Sequence, residues 1–193
     1  MNINVYKIIE QTEVEGPGKR FCLWVQGCSI HCEGCWATET WDKDKGDKYT
    51  VEKIFDKIKA QKDIEGVTFL GGEPFEQAEA LGELAQMCKN IGLSVLTFSG
   101  NLYENLKAKN DKSIDKLLEN TDLLIDGKFD KTSFDLTRPW VGSKNKRYIF
   151  LTDRYSENDL KIHKNKIEVR VNKDGSVFVN GMGDFNKILD TFL

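Results

Sequence analysis

Three cysteines fall within eight residues, Cys28-Ser29-Ile30-His31-Cys32-Glu33-Gly34-Cys35. Thiolates this close together on one loop can grip a metal centre. Three ligands are one fewer than a closed tetrahedral site needs, so one coordination position stays free, as catalytic sites keep it. Zinc, with His31 as a fourth ligand, and three irons of a four-iron, four-sulfur cluster both suit such a set. His31 directly precedes Cys32, which cramps joint ligation of one zinc and leaves His31 as a loop residue. The cysteine spacing alone leaves both centres open.

The chain has five cysteines, an odd number clustered in one loop, which is not a disulfide framework. Cys22 lies in the buried-strand pattern Phe21-Cys22-Leu23-Trp24-Val25, and Cys88 on the apolar stripe of a helix. Both are expected in the core as small hydrophobes. A length of 193 residues suggests one domain, and a net charge of −3 with mixed signs argues against bulk capture of nucleic acid. No apolar run reaches the length of a membrane span, and Met1 to Glu10 lack a signal-peptide core. A cytoplasmic protein is the expectation.

The elements that must position the cysteines follow from periodicity. Residues 21–27 read as a buried strand leading into the cysteine loop, and 42–48 as charged surface loop. Thr50 caps a helix over 51–61. Residues 67–70 form a strand ended by Gly71-Gly72-Glu73-Pro74. A helix over 75–91 carries Ala78, Leu81, Leu84, Ala85, Cys88 and Ile91 on one stripe. Residues 93–98 are the next strand, followed by Ser99-Gly100. Helical segments fill much of 101–119, and a strand over 122–125 is closed by Asp126-Gly127. Strands alternating with helices give βαβ units and a parallel sheet. Ligands bind such folds at the carboxyl ends of the strands, where all four post-strand motifs are expected to converge. Residues 147–151 look like a further strand. Residues 167–171 and 176–179 flank Asn172-Lys173-Asp174-Gly175 as a hairpin, and a short helix is expected over 184–193.

Further segments carry a resemblance. Cys-x-x-x-Cys-x-x-Cys after the first of these strands, with Gly-Gly-Glu-Pro after a later one, resembles the radical S-adenosylmethionine superfamily. Gly16-Pro17-Gly18-Lys19-Arg20-Phe21, Val25-Gln26-Gly27-Cys28, Glu33-Gly34-Cys35-Trp36 and Glu39-Thr40-Trp41 are similar to the start of the activating proteins of anaerobic ribonucleotide reductase. Phe69 to Pro74 and Leu124 to Phe129 match later segments of that family. The similarity covers residues 5–150. The chain departs from it at Val141-Gly142-Ser143-Lys144-Asn145-Lys146, where the family has Arg-Gly-Ser-Ser-Asn-Gln, and it continues some forty residues further.

The resemblance implies an α/β fold, a partial, open parallel β/α barrel over 1–150. A small C-terminal extension over 151–193, a β-hairpin and a short helix, is expected to pack on it. It implies a [4Fe-4S] cluster on Cys28, Cys32 and Cys35, with S-adenosylmethionine on the fourth iron. Reductive cleavage of S-adenosylmethionine would then give a 5′-deoxyadenosyl radical that takes hydrogen from a glycine of a partner enzyme. Gly34, Cys35 and Trp36 are expected near the nucleotide, Gly71, Gly72 and Glu73 at the methionine part, and Thr97, Ser99 and Asp126 as further polar contacts. No residue need serve as general acid or base. The implied partner is a glycyl-radical enzyme of the anaerobic ribonucleotide reductase kind, with flavodoxin or ferredoxin as electron donor and neither membrane nor nucleic acid. The altered 141–146 segment and the longer tail favour, as an alternative, a peptide or small metabolite as substrate. A non-enzymatic metal-binding module is a second alternative.

Several residues have plainer readings. Trp24 is expected in the core, and Trp36 and Trp41 shield the cluster or pack the loop. Arg138, Lys144, Lys146, Arg147 and Arg154 read as a solvated basic face, with docking of an acidic partner or phosphate as the alternative, and His163 as exposed.

Overall fold

A computed structural model describes residues 1–183; the helix expected over 184–193 lies outside the described residues. The centre is a seven-stranded sheet in the order β3-β1-β2-β4-β5-β6-β7. Strands β2 (Arg20–Val25), β4 (Gly66–Gly71), β5 (Ser94–Phe98) and β6 (Leu123–Asp126) run parallel. On the flanks, β1 (Asn2–Thr12), β3 (Asp47–Thr50) and β7 (Arg147–Phe150) pair antiparallel with their neighbours. The fold is therefore mixed α/β with a mostly parallel centre.

The parallel strands are covered on both sides, so they carry apolar residues on both faces. Phe21, Leu23 and Val25 of β2, with Val67 and Phe69 of β4, point toward the helices. There they meet α1 (Val51–Lys59), α2 (Ala78–Asn90) and α4 (Lys112–Glu119) through Ile54, Ile58, Leu81, Leu84, Leu117 and Cys88. Thr50 caps α1 by accepting from Lys53 N–H at 3.3 Å. A five-residue helix, α3 (Tyr103–Lys107), joins β5 to α4. On the other face, Cys22 and Trp24 of β2 join Ile9 and Leu70. Cys22 and Cys88 are both fully buried, as their surroundings in the sequence suggest.

Two flanking strands escape the periodicity argument. In β1, Ile3 and Val5 belong to the helix-side cluster, whereas Ile9 belongs to the opposite face. A register shift between Val5 and Lys7 makes the change. Such an irregularity breaks the period of two that betrays a strand. Asp47 and Lys48 sit in the span expected as surface loop, yet β3 pairs Asp47–Thr50 with Asn2–Val5 as a charged, exposed edge.

The amino ends of the parallel strands are stapled by Arg20, which is fully buried. Its guanidinium donates to Thr68 Oγ1 at 2.7 Å, Pro17 O at 3.0 Å, Ser94 Oγ at 3.0 Å and the Tyr155 hydroxyl at 3.2 Å. Tyr155 precedes α5 (Glu157–Lys161), whose Ser156–Asp159 capping box fixes its start.

After α5, strands β8 (Ile167–Val171) and β9 (Val177–Gly181) form a separate antiparallel pair in the register Val169↔Val179. One face of the pair lies against β1 and β2. Phe178 meets Trp24 edge-on at 6.1 Å, and Lys7 Nζ stands 3.4 Å above the Phe178 ring. Glu168 accepts from Thr12 Oγ1 at 2.6 Å, and Glu15 accepts from Gly181 N–H at 2.7 Å. Val169, Val171 and Val177 on the other face are exposed.

Candidate cluster and cofactor site

A cavity of about 470 Å³ opens at the carboxyl ends of β2, β4 and β5, within the size range of cofactor pockets. Cys28, Cys32 and Cys35 line one wall of it, Gly71, Gly72, Glu73 and Ser99 another, and residues of β9 a third.

The cysteine wall is a loop pinned at its ends. Gly27 N–H donates to Thr40 O at 2.7 Å and Cys28 N–H to Trp41 O at 3.1 Å, so the loop's two stems are paired. Gln26 donates to the Glu39 and Asp42 carbonyls at 2.9 and 2.8 Å. Gln77 bridges back to Asn4 O and Gln26 O at 3.0 and 2.9 Å. Glu76, two residues past Pro74, accepts from Ser29 N–H at 2.8 Å and also from the Ser29 hydroxyl. His31 stacks on Trp41 with centroids 4.4 Å apart. Between these anchors the three cysteines are half-buried, and Trp36 beside them is 64% exposed.

Burial holds the Cys28 thiol above its usual range. The N–H groups of Ile30 and His31 pull it down, and the Glu73 and Glu76 carboxylates push it up. Among the described residues, no three His, Cys, Asp or Glu side chains are gathered closely enough to hold an ion as they stand. The donor set nonetheless fits a cluster: three thiols on one loop, all facing one largely apolar cavity. Bringing them together needs side-chain and loop adjustment within residues 28–35.

The second wall is fixed by backbone. Gly71 has φ +100°, and a Cβ there would lie 2.8 Å from Val25 N and O. A Cβ on Gly72 would stand 2.1 Å from Gly27 O. Gly72 N–H donates to Val25 O and Glu73 N–H to Gly27 O, both at 2.8 Å. Pro74 opens a 3-10 turn over Pro74–Gln77. Glu73 is 1% exposed. Its carboxylate accepts from Phe75 N–H at 3.0 Å, from Ser99 Oγ at 3.0 and 3.1 Å, and from Gly100 N–H at 2.9 Å. Burial raises its pKa, and these donors partly offset that. Glu73 thereby ties the turn after β4 to the turn after β5.

Not every expected residue faces the cavity. Trp36 lines it along with the three cysteines, the two glycines, Glu73 and Ser99. Gly34 packs over Phe129 and Lys131 instead. Thr97 alternates with Phe98 and turns to the helix side, where its hydroxyl meets Thr121 Oγ1 at 3.0 Å. Asp126 is fully buried in a pair with Arg147 and accepts from Tyr103 N–H at 2.7 Å. Three of the four post-strand motifs therefore meet at the cavity, and the fourth supports it.

The basic stretch is a solvated face only in part: Lys144 and Arg154 are exposed, whereas Arg138, Lys146 and Arg147 are engaged by the protein. Arg138 pairs with Asp135 and donates to the Ser143, Lys144 and Lys146 carbonyls at 2.9 to 3.0 Å, folding residues 135–146 into a compact loop. Arg147 is taken by Asp126 and Glu104. Lys146 turns inward, lines the cavity and donates to Gly127 O at 2.7 Å. Burial lowers its pKa, while Cys32, Glu73, Asp126 and Cys35 push it back up. His163, expected to be exposed, is half-buried against Trp140 at 5.0 Å. Sequence reasoning also missed Glu76 and Gln77. Their only sequence signal is their place in the first turn after Gly-Gly-Glu-Pro.

The 4Fe-4S single cluster domain family matches residues 14–149. The anaerobic ribonucleoside-triphosphate reductase-activating protein of Vibrio cholerae is 35% identical over 154 residues, covering 75% of this chain and 95% of that protein. The pyruvate formate-lyase-activating enzyme of Listeria monocytogenes is 30% identical over 126 residues, 63% of this chain and 51% of that protein. The pyruvate formate-lyase 1-activating enzyme of Escherichia coli is 28% identical over 180 residues, 90% of this chain and 71% of that protein. The chain thus spans about half the length of the Listeria relative. With the cysteine loop and the glycine turn on one cavity, the chain belongs to the 4Fe-4S single cluster domain family, within the radical S-adenosylmethionine group of glycyl-radical enzyme activating proteins.

Proposed function

We propose that the chain is an activating enzyme that uses a [4Fe-4S] cluster and S-adenosylmethionine to take a hydrogen atom from a glycine of a partner enzyme. The observation that carries this reading is the facing of three thiols and a backbone-walled glycine turn across one cavity. When bound, the cluster and S-adenosylmethionine supply reductive cleavage to the hydrogen-abstracting species. The protein's own work is placement. Cys28, Cys32 and Cys35 hold iron. Gly71 and Gly72 let a ligand approach backbone, and Glu73 shapes that turn and presents carboxylate to an ammonium group. Gly34 and Trp36 flank the last cysteine at the nucleotide side, and Ser99 adds a hydroxyl. Thr97 and Asp126 support these groups from behind the cavity.

Residues 1–150 form the core of an open β/α barrel in this reading, and 151–193 an extension that walls one side of the cavity. The partner is a glycyl-radical enzyme, with anaerobic ribonucleotide reductase the leading candidate and a flavodoxin or ferredoxin as electron donor. The C-terminal wall favours a second reading, a peptide or small metabolite as substrate, because Phe178 of β9 and Met182 just after it line the same cavity as the cysteines.

Anaerobic reconstitution tests both. Iron and sulfide should reach about four each per chain. Reduction with S-adenosylmethionine present should release 5′-deoxyadenosine, and the reductase should then show an organic radical by electron paramagnetic resonance. Cleavage without a radical on any glycyl-radical enzyme selects the second reading. Absence of iron uptake rejects both and leaves a metal-binding module of another kind.

A further inference from the structure

Lys146 is the single cationic residue lining the cavity among the described residues. The titratable groups that act on it are Cys32 and Cys35 on the loop, Glu73 on the β4 turn and Asp126 at the end of β6, and the Glu15 and Glu39 carboxylates also line the cavity. The Asp126 and Glu73 carboxylates are already answered. Asp126 is held by the Arg147 guanidinium, and Glu73 by three protein donors, the Phe75 and Gly100 N–H groups and the Ser99 hydroxyl. The ammonium itself donates to a neutral carbonyl, Gly127 O. Its charge is therefore positioned but not neutralised, on a partly buried side chain at the end of the compact 135–146 loop that Arg138 gathers. The neighbouring cation Lys144 is exposed, and Arg147 is spent on carboxylates.

The geometry points to Lys146 as the residue that sets the reduction potential of the cluster held by Cys28, Cys32 and Cys35. This rests on the proposed cluster. A fixed positive charge favours whichever redox state carries more electrons, and at low effective dielectric that preference reaches across several ångströms. Lys146 raises the potential and so makes the one-electron reduction easier for a physiological donor. It acts through the cluster and is a positioning residue, not a catalytic one.

The test is a potentiometric titration of the reconstituted protein, followed by electron paramagnetic resonance, on wild type, K146Q, K146M and K146R. Glutamine keeps a donor for the Gly127 carbonyl, methionine keeps the stem, and arginine keeps the charge. K144Q, on the exposed neighbour, serves as control. K146Q and K146M should titrate at a more negative potential, with the reduced fraction at a fixed poise down about tenfold. K146R and K144Q should stay at the wild-type value. Release of 5′-deoxyadenosine by K146Q should drop with a mild donor and recover with an excess of strong reductant. An unchanged potential in K146Q and K146M overturns the proposal. So does weaker S-adenosylmethionine binding at an unchanged potential, which would make Lys146 a ligand for the methionine carboxylate. Failure of wild type itself to take up iron would count against the cluster reading, and is seen before any variant is titrated.

Discussion

Two walls of the cavity face each other and are built in opposite ways. The Gly71–Glu73 wall is made of backbone locked into the sheet, with a carboxylate that is almost fully buried and held by three donors. The cysteine wall is a half-exposed loop, anchored at both stems, whose thiols stand apart from one another. The glycine wall owes its shape to the fold and should exist in the metal-free protein. The cysteine wall should acquire its final shape only with iron, so that metal binding stabilises loop order and does little for the sheet.

The sharpest way to break that contrast is to disturb the rigid wall. Gly72→Ala places a Cβ against Gly27 O and cannot be relieved without moving the strand ends apart. We expect 5′-deoxyadenosine release to fall about a hundredfold or more, with lower thermal stability, since misplacement by about 1 Å costs that much. Near-wild-type turnover would show that this wall is pliable.

Cys32→Ala attacks the other wall. It should abolish activity and lower iron per chain, yet change the stability of the metal-free protein in urea by less than about 1 kcal/mol, because the site is half-exposed. Hydrogen exchange adds a second reading. Removing iron with a chelator should speed exchange in residues 28–35 and leave residues 70–73 unchanged. Equal loss of protection in both segments would refute the contrast.

The third wall is held by Glu15, whose burial pushes its pKa up to about 7 despite donors from Gly181 and Asn180. A carboxyl whose folded pKa lies above its unfolded value stabilises the fold most when protonated. Its contribution is therefore full below about pH 4.5 and is lost as pH rises to about 7, a change of about 3 kcal/mol. Glu15→Gln should flatten the stability profile across that window. A profile parallel to wild type would show that the β9 anchor does not titrate there. The smallest effect is expected far from all three walls. Thr50→Ala removes the α1 cap at a cost of about 1 kcal/mol in denaturation and should leave 5′-deoxyadenosine release unchanged.

What could be foreseen from the chain divides along similar lines. The parallel strands and their following turns were legible because buried strands are continuous apolar runs and turns need glycine or proline. β1 was hidden by its register shift, and β3 by the charges that protect an exposed edge. In the site, cysteines and glycines announce themselves by type. Glu76, Gln77 and Lys146 do not, since a polar residue two or more positions beyond a motif looks the same whether it faces solvent or reaches back. Thr97 shows the converse. It lies on the strand that feeds the cavity, but the alternation of side chains sends it to the far face.

The contact between residues 27 and 72 has a consequence for sequence drift. The two positions lie 45 residues apart, yet one carbonyl oxygen occupies the volume a side chain on the other would need. They form one joint, and neither can change independently. In a family of related chains, any residue larger than glycine at position 72 should appear only together with an insertion or deletion beside position 27. Insertions should otherwise gather beyond Trp41, where the paired stems of the cysteine loop end and length is free to vary.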